Sequence, residues 1–332
     1  MGKKFNALLI TFIVLTMSIF TIGCGGSSKN ESPKETKNSE PIKIAALKGP
    51  TALGALKLLK DDKKEYDISI YDSPDQLIGK IVNGEVDGAM VPSNMASILY
   101  NKTKGKVEFV AINTLGVLYI VENGDTIKSI KDLKGKTLYA TGKGAVPEYA
   151  LNYILNKNGL NPEKDLTIDY KMSHQDLATA IASKEVNLAM LPQPFVTIVQ
   201  SKDKDLNIPI NLTEEWDKVS NGESKLVMGT LIFRKDFIEN RKNDLHTFLK
   251  KYEESINFVN NNLEEAGQIA EENAIIPNAK IAEKAIPKCN IVFIDGKEGK
   301  EAMEGFLKVL EESNPKSIGG ALPNEDFYYE GK

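Results

Sequence analysis

Cysteine, histidine and arginine are scarce in this 332-residue chain, and the shortages exclude several classes of protein. Cys24 and Cys289 are the two cysteines, too few for the disulfide framework of many exported domains. Only two histidines occur, His174 and His246, so a metal-ion receptor is not expected. The formal net charge of −4 makes a nucleic-acid partner unexpected as well.

The N-terminus has the features of an export signal. Lys3 and Lys4 precede an apolar run from Ala7 to Ile22, and a small residue then stands before Cys24. The run is short for the roughly twenty apolar residues of a membrane span, and Thr and Ser interrupt it. The sequence TIGC resembles a bacterial lipoprotein box, with Thr21 where leucine is usual. This resemblance implies cleavage before Cys24 and its lipidation.

The residues after the cysteine predict a tether. Gly25 to Glu40 consist mainly of Gly, Ser, Lys, Asn and Glu, with almost nothing apolar. We therefore expect a signal peptide at 1–23 and a lipidated Cys24 with a flexible tether at 24–40. The expected location is the extracytoplasmic face of the cell membrane. The chain is 41% hydrophobic, and the part after the tether is long enough for two domains.

Two stretches set one hundred residues apart are near-copies of each other. Ser73–Lys102 aligns without a gap with Ser173–Lys202 and is identical at ten of thirty positions. The first contains GEVDGAMVPSNMASILYNK and the second contains KEVNLAMLPQPFVTIVQSK. A single pair of copies argues against a solenoid or propeller, which needs three or more units. It predicts two similar lobes in preference to one long doubly wound sheet.

A second similarity extends the repeat towards the N-terminus. Ile42–Leu59 resembles Lys136–Leu155, with Gly49 opposite Gly144. Each lobe is then predicted to consist of alternating strands and helices, which implies parallel sheets with helices on both faces. The predicted strands are Ile42–Leu47, Tyr66–Tyr71 and Val86–Val91 in the first lobe, and Thr137–Thr141, Leu166–Lys171 and Val186–Leu191 in the second.

Several motifs together resemble a known family. The lipoprotein start, KGPTALG, DGAMVPSN, INTLGVLYIVEN, SIKDLKGKTLYATGKG and AMLPQPF are similar to those of bacterial ABC-transporter solute-binding proteins. The nearest group is the two-lobed one that includes the nitrate, sulfonate, taurine and thiamine-pyrimidine binders. The similarity covers about residues 42–329. It implies the α/β fold of type II periplasmic binding proteins, in which each lobe is a mostly parallel sheet flanked by helices.

The same resemblance implies a function. It is that of an extracytoplasmic lipoprotein that captures a small polar or anionic solute between its lobes and delivers it to the permease of an ABC importer. No enzymatic activity and no cofactor are implied, and a monomer is expected.

Two crossing strands are expected to join the lobes. Val107–Val121 and Leu226–Phe233 are apolar stretches with Gly116 and Gly229 in their middles. Each glycine could mark a hinge or merely a bulge or close backbone contact. On this interpretation 41–113 plus 229–332 form lobe 1, and 114–228 form lobe 2.

The candidate binding residues follow the predicted strands. Ligands of open α/β sheets lie beyond the carboxyl ends of the strands, where backbone N–H groups and polar side chains can bind them. Ser93 and Gln193 hold equivalent positions in the repeat and are expected to face each other across the cleft. Each polar residue could instead be a helix cap. The candidates are Lys48, Gly49, Pro50, Thr51, Ser93, Asn94, Thr114, Gly144, Ala145, Gln193 and Phe195.

The arginines narrow the choice of solute. Amino-acid receptors usually hold the α-carboxylate with an arginine fork, but Arg234 and Arg241 are predicted far from the strand ends. A small anion or a polar heteroaromatic solute remains, held by backbone N–H groups and by Lys48 or Lys143 if either reaches it. Three aromatic residues could stack on a ring, although core packing is the commoner role: Tyr119, Tyr149 and Phe195.

Two other functions stay open. The same two-lobed fold occurs in menaquinone-pathway enzymes and in a pyrimidine synthase of thiamine biosynthesis, so an enzyme acting on a small aromatic or carboxylate substrate is one alternative. An enzyme would need an acid, base or nucleophile in the cleft, and the strand ends offer no Cys and no conspicuous carboxylate pair. The other alternative is a surface lipoprotein without a transport function, which would not need a glycine-rich cleft.

Overall fold

A computed structural model describes residues 40–331. The predicted signal peptide, the predicted lipidation site Cys24 and the tether up to residue 39 lie outside the described residues. Glu40–Lys332 forms one compact unit. The carbonyl oxygen of Glu40 accepts a hydrogen bond from Arg241 Nη2 at 2.9 Å. None of the helices within 40–331 is long and apolar enough to cross a membrane.

Strands and helices alternate along most of the described chain. The strands are β1 (Ile42–Leu47), β2 (Tyr66–Tyr71), β3 (Gly88–Pro92), β4 (Val107–Leu115), β5 (Leu118–Glu122), β6 (Thr137–Tyr139), β7 (Thr167–Asp169), β8 (Leu188–Pro192), β9 (Asn207–Asn211), β10 (Val227–Arg234) and β11 (Ile291–Asp295). The helices are α1 (Pro50–Leu53), α2 (Leu56–Asp61), α3 (Pro74–Val82), α4 (Ser93–Thr103), α5 (Val146–Lys157), α6 (His174–Ala182), α7 (Phe195–Lys202), α8 (Leu212–Ser220), α9 (Lys235–Asn240), α10 (Lys242–Asn261), α11 (Leu263–Glu272), α12 (Ala279–Ala285) and α13 (Gly296–Ser313).

The strands form two sheets, each the centre of one lobe. The first lobe contains a six-stranded sheet in the order β11-β4-β10-β3-β1-β2, and the second contains a five-stranded sheet in the order β7-β6-β8-β5-β9. In each sheet three strands are parallel, β2-β1-β3 and β7-β6-β8. The remaining pairings are antiparallel, but four strands of each sheet, β1 to β4 and β6 to β9, run in the same direction, so the mixed sheets are mostly parallel in strand direction, as predicted. The strands of opposite direction include β5 and β10, which enter their sheets from the other lobe, so no helical crossover within one sheet sets their direction.

The sequence repeat is a structural repeat. The elements α3, β3 and α4 recur one hundred residues later as α6, β8 and α7. Apolar residues four apart bury the same face of the two equivalent helices, Leu77 and Ile81 in α3 and Leu177 and Ile181 in α6. Ser173 caps α6 by accepting a hydrogen bond from the backbone N–H of Asp176 at 3.1 Å.

The chain passes between the sheets at two places. It leaves the first sheet after Leu115 and enters the second at Leu118, and it returns between α8 and β10. Gly116 lies against the hydroxyl of Thr213, and its carbonyl oxygen accepts a hydrogen bond from Asn290 Nδ2 at 2.6 Å. Gly229 lies against the methyl group of Thr51. Both glycines therefore stand at close approaches of backbone to side chain, and their role as hinges stays a prediction.

The two lobes share part of one apolar core. Trp216 on α8 packs against Phe306 on α13 with ring centroids 5.6 Å apart, and against Tyr153 on α5 at 4.6 Å. Helix α13 packs on β4 and β11 of the first lobe, whereas α5 and α8 belong to the second. Trp216 and Phe306 are fully buried. Two further clusters lie within one lobe each, the first around α10 and α2 and the second beneath α6 and α7.

Candidate functional site

The parallel strands of the second lobe bring four polar residues to one edge of the sheet. Because β6 lies between β7 and β8, the carboxyl ends of the three strands are neighbours. Thr141 comes shortly after β6, Tyr170 directly after β7, and Gln193 directly after β8; His174 begins α6. We refer to Thr141, Tyr170, His174 and Gln193 as the second-lobe edge.

Each residue of the second-lobe edge has a buried polar atom without a hydrogen-bond partner. Among the described residues eight buried side-chain N or O atoms lack such a partner, and four of them belong to this edge: Thr141 Oγ1, Tyr170 Oη, His174 Nδ1 and Gln193 Nε2. Thr141 and Gln193 are only 2% and 1% exposed. An unpaired buried polar group costs about 1–3 kcal/mol, so a cluster of them marks a place where a ligand can pair with them.

The orientation of the Gln193 amide is set by the following helix. Gln193 Oε1 accepts a hydrogen bond from Thr197 Oγ1 at 2.9 Å and from the backbone N–H of Thr197 at 3.3 Å. The backbone N–H of Gln193 itself donates to Val117 O at 2.9 Å, which ties the residue to the segment between the sheets. The side-chain carbonyl is thus occupied, and the NH2 group is the free end.

Aromatic rings lie beside these polar atoms. His174 and Phe195, at the first positions of α6 and α7, stack with centroids 5.3 Å apart and an interplanar angle of 26°. Burial lowers the pKa of the His174 ring below its ordinary value of 6.5, because desolvation disfavours the charged form. Burial also raises the pKa of Tyr170. Both side chains are therefore neutral at neutral pH.

An exposed lysine lies near this edge. Lys143 is exposed, with its Nζ 5.9 Å from the centroid of the Tyr170 ring. Glu148 Oε2 accepts a hydrogen bond from the backbone N–H of Gly144 at 2.6 Å, so a carboxylate of the chain itself already occupies the start of α5. Ala145 precedes this helix as its N-cap, and its backbone N–H donates to Gly142 O.

Neither arginine lies at the carboxyl ends of the parallel strands, because Arg234 ends the antiparallel strand β10 beside the start of β3. Arg234 donates to Gly84 O at 3.1 Å and pairs with Asp87, whereas Arg241 pairs with Asp244 at 2.6 Å. Within residues 40–331 no group of three or more His, Cys, Asp or Glu residues is placed to hold a metal ion.

The polar candidates of the first lobe already have partners within the protein. The hydroxyl of Ser93 donates to Val227 O at 2.6 Å, and Asn94 Nδ2 donates to Ser317 O at 3.2 Å. The hydroxyl of Thr51 donates to Leu47 O at 2.9 Å, and that of Thr114 donates to Asn113 Oδ1 at 3.1 Å. Within residues 40–331, these candidates therefore offer fewer unpaired side-chain hydrogen-bonding groups than the second-lobe edge.

The remaining predicted residues have varied surroundings. Lys48 Nζ lies 3.2 Å from Asp72 Oδ1 in an exposed ion pair. Gly49 has a φ of 122° and open space where a Cβ would point, and Pro50 begins the four-residue helix α1. Tyr149 packs in the core, as does much of Tyr119, which fits the packing alternative for both rings.

Sequence reasoning identified only part of this cluster. Gln193, Phe195 and the turn with Gly144 and Ala145 were predicted, but Thr141, Tyr170, His174 and Thr197 were not. The rule that ligands lie beyond strand ends, applied to β7 as well, would have included Tyr170 and His174. The facing of Ser93 and Gln193 stays a prediction, and their side chains use different partners, Val227 and Thr197 respectively.

The chain resembles a known protein family and known structures. A family model described as "ABC transporter, phosphonate, periplasmic substrate-binding protein" matches residues 63–253, more than half of the chain. A crystal structure of an ABC transporter from Parabacteroides distasonis is 26% identical with a TM-score of 0.75, covering 88% of this chain and 99% of its own. The aliphatic sulphonate binding protein SsuA from Escherichia coli is 14% identical with a TM-score of 0.67, covering 85% and 96%. At that identity the likeness shows the fold alone, and the predicted two-lobed periplasmic-binding-protein fold is confirmed.

A curated relative adds a further comparison. The uncharacterized lipoprotein YcdA of Bacillus subtilis (strain 168) is 26% identical over 172 residues, which is 51% of this chain and 45% of YcdA. The chain spans about half the length of the curated relatives it matches.

Proposed function

Because the chain belongs to the family of ABC-transporter, phosphonate, periplasmic substrate-binding proteins, we propose that it captures a small polar or anionic solute between its two lobes and delivers it to the permease of an ABC importer. The family predicted from the sequence is thereby confirmed, but membership does not identify the solute. Residues 41–113 plus 229–332 are proposed as lobe 1 and residues 114–228 as lobe 2.

One observation carries this proposal most directly. Four buried polar atoms without partners collect at the second-lobe edge, where the parallel strands end. A solute that pairs with them recovers hydrogen bonds that the protein by itself leaves unmade. We propose that the first lobe completes the site through the turn Gly49–Thr51 together with Ser93 and Asn94, and that Thr114, at the boundary between the lobes, also contributes. The turn with Gly144 and Ala145, and the ring of Phe195, would complete it on the second lobe.

Closure of the lobes couples capture to delivery. A solute that touches both lobes gains both sets of contacts only in the closed state, so it shifts the population towards that state. The two passages of chain near Gly116 and Gly229 are the proposed hinge. The core shared around Trp216 and Phe306 would then lie on the side that stays in contact.

Anchoring at the membrane and the lack of an enzymatic activity belong to the same proposal. Lipidation of Cys24 would keep the protein on the extracytoplasmic face, and a relative named as a lipoprotein supports this location. We propose a monomer without a cofactor, because capture and release of a solute require neither a second subunit nor a reaction. No nucleic-acid partner is proposed.

Recovery of the solute tests the proposal. The protein without residues 1–24 would be incubated with a small-molecule extract of the producing cells, washed, denatured and analysed by mass spectrometry. Small-angle scattering with the recovered compound should show a smaller radius of gyration than without it. If no compound is retained and no extract compacts the protein, solute capture is wrong.

A further inference from the structure

We infer that the second lobe recognises an uncharged, planar part of the solute through hydrogen-bond acceptors on that part, with Gln193 as the selecting residue and Thr197 as the residue that positions it. The inference rests on the proposed function, because it concerns the site in which the solute is held. It excludes compact anions, such as the phosphonate named in the family's description, as the group that the second-lobe edge recognises.

The first argument is the fixed direction of the Gln193 amide. The backbone N–H of Thr197 can only donate, so the amide atom facing it at 3.3 Å must be the oxygen. The hydroxyl of Thr197 donates to the same oxygen at 2.9 Å. The NH2 group is thereby turned away from α7, is buried, and has no partner among the described residues. An NH2 group can only donate, so the ligand must supply an acceptor.

The second argument is the lack of charge compensation. A compact anion at this edge would have no arginine partner, since Arg234 and Arg241 are bound elsewhere. The start of α5 is already occupied by the carboxylate of Glu148, which would repel an anion. Lys143, beside the ring of Tyr170, and Lys171, which pairs with Asp169, are both exposed and so contribute weakly. Burying an uncompensated charge is costly, whereas an uncharged group with acceptor atoms fits the same donors.

The third argument is that the residues at this edge offer flat ring surfaces and polar groups that can either donate or accept a hydrogen bond. The stacked rings of His174 and Phe195 and the ring of Tyr170 are flat surfaces, which pack well against another planar group. The hydroxyls of Thr141 and Tyr170 and Nδ1 of His174 have no hydrogen-bond partner within residues 40–331, and each can donate or accept. Such a set suits a heteroaromatic ring that carries ring nitrogens and carbonyl oxygens.

The experiment compares uncharged rings with anions on the folded protein. Glu40–Lys332 forms one compact unit, so the chain without residues 1–24 retains the site. Melting temperature and calorimetry would be measured with millimolar cytosine, uracil and nicotinamide, and separately with methylphosphonate, ethanesulfonate and nitrate. At least one ring should raise the melting temperature and bind, and the three anions should not. An anion that binds as tightly as the rings, or the absence of a response to every ring, overturns the inference.

Two variants and their matched controls test the roles of the residues. Gln193→Glu replaces the free donor by an acceptor and should weaken binding of the responding ring by roughly tenfold to a hundredfold. Thr197→Val removes the hydroxyl, one of the two donors that hold the Gln193 amide, and should weaken binding by roughly threefold or more. Gln268→Glu and Thr179→Val, the same changes at exposed positions of α11 and α6, should leave affinity unchanged. Unaltered affinity in Gln193→Glu with folding intact would remove Gln193 from the site.

The outcomes separate this inference from the proposed function. If an extract compacts the protein and the recovered compound is an anion without an uncharged planar part, solute capture stands and this inference is wrong. If no extract compacts the protein and the rings also fail to bind, both are wrong.

Discussion

The rings of Trp216 and Phe306 lie 5.6 Å apart, and they belong to different lobes. Trp216 is the single tryptophan of the chain, is fully buried, and donates from Nε1 to Ser224 O at 3.1 Å. Its fluorescence therefore reports on the place where the lobes share a core, separately from the cleft.

Phe306→Ala should destabilise the protein and disturb this junction. Loss of a fully buried phenylalanine costs about 3–5 kcal/mol, because a cavity remains. We expect that loss in urea unfolding, together with a red-shifted emission of Trp216 in the folded protein. Phe248→Ala removes an equally buried ring within the first lobe. It should cost a similar amount while leaving the folded emission unchanged, and equal spectra for the two variants would contradict a junction at Trp216.

Ser93→Ala and Gln193→Ala should have different effects, although the two residues are equivalent in the repeat. Ser93 donates to Val227 O, so its loss should reduce stability by about 0.5–1.5 kcal/mol. Gln193 has a free NH2 group, so its loss should weaken solute affinity by roughly threefold to a hundredfold. Urea unfolding and calorimetry with the recovered solute measure the two quantities. Unchanged affinity in both variants would place the site elsewhere.

His174 should make stability depend on pH. Its pKa is lowered in the folded protein, so the unfolded chain binds the proton more readily. The contribution to stability is complete above pH 6.5 and is lost as the pH falls towards the folded pKa. His174→Asn should flatten the decline in unfolding free energy below that pH. If the unfolding free energy of His174→Asn declined below pH 6.5 as steeply as that of the parent protein, the prediction would be wrong.

Gly142→Ala should distort the turn before α5. Gly142 has a φ of 79°, and a Cβ would lie 2.6 Å from the ring of Pro147. Gly135 has a similar φ of 75° but open space around a Cβ. Gly135→Ala should therefore cost about 1–2 kcal/mol from backbone strain, and Gly142→Ala should cost clearly more. Thermal unfolding of both variants measures the loss of stability in each. Equal losses would contradict the prediction and would mean that the ring of Pro147 moves aside freely.

Cys24→Ser should release the protein from the membrane. The lipoprotein box and the tether predict a lipid at Cys24, and Ser cannot carry a thioether-linked lipid. Fractionation of cells should find the parent protein with membranes and the variant in the medium or soluble fraction. A parent protein that is entirely soluble and carries no lipid would refute the anchor.

Local sequence patterns predict the repeat, the order of the strands and helices, and the positions of most strands. Strands β1 and β2 lie where they were predicted, whereas β6 and β7 are shorter than expected. Periodic burial and glycine turns are local properties, so they can be read along the chain. Gln193 and Phe195 were identified in the same way, from a position after a strand.

Which polar groups already have hydrogen-bond partners depends on tertiary contacts that no local pattern shows. Ser93 and Gln193 are equivalent in sequence, but the partner of Ser93 lies 134 residues away and that of Asn94 lies 223 residues away. A hydrogen bond between such distant residues depends on how the sheets and the C-terminal segment come together. The repeat in the sequence therefore predicts two equal halves of a site, whereas the long-range contacts leave free polar groups mainly in the second lobe.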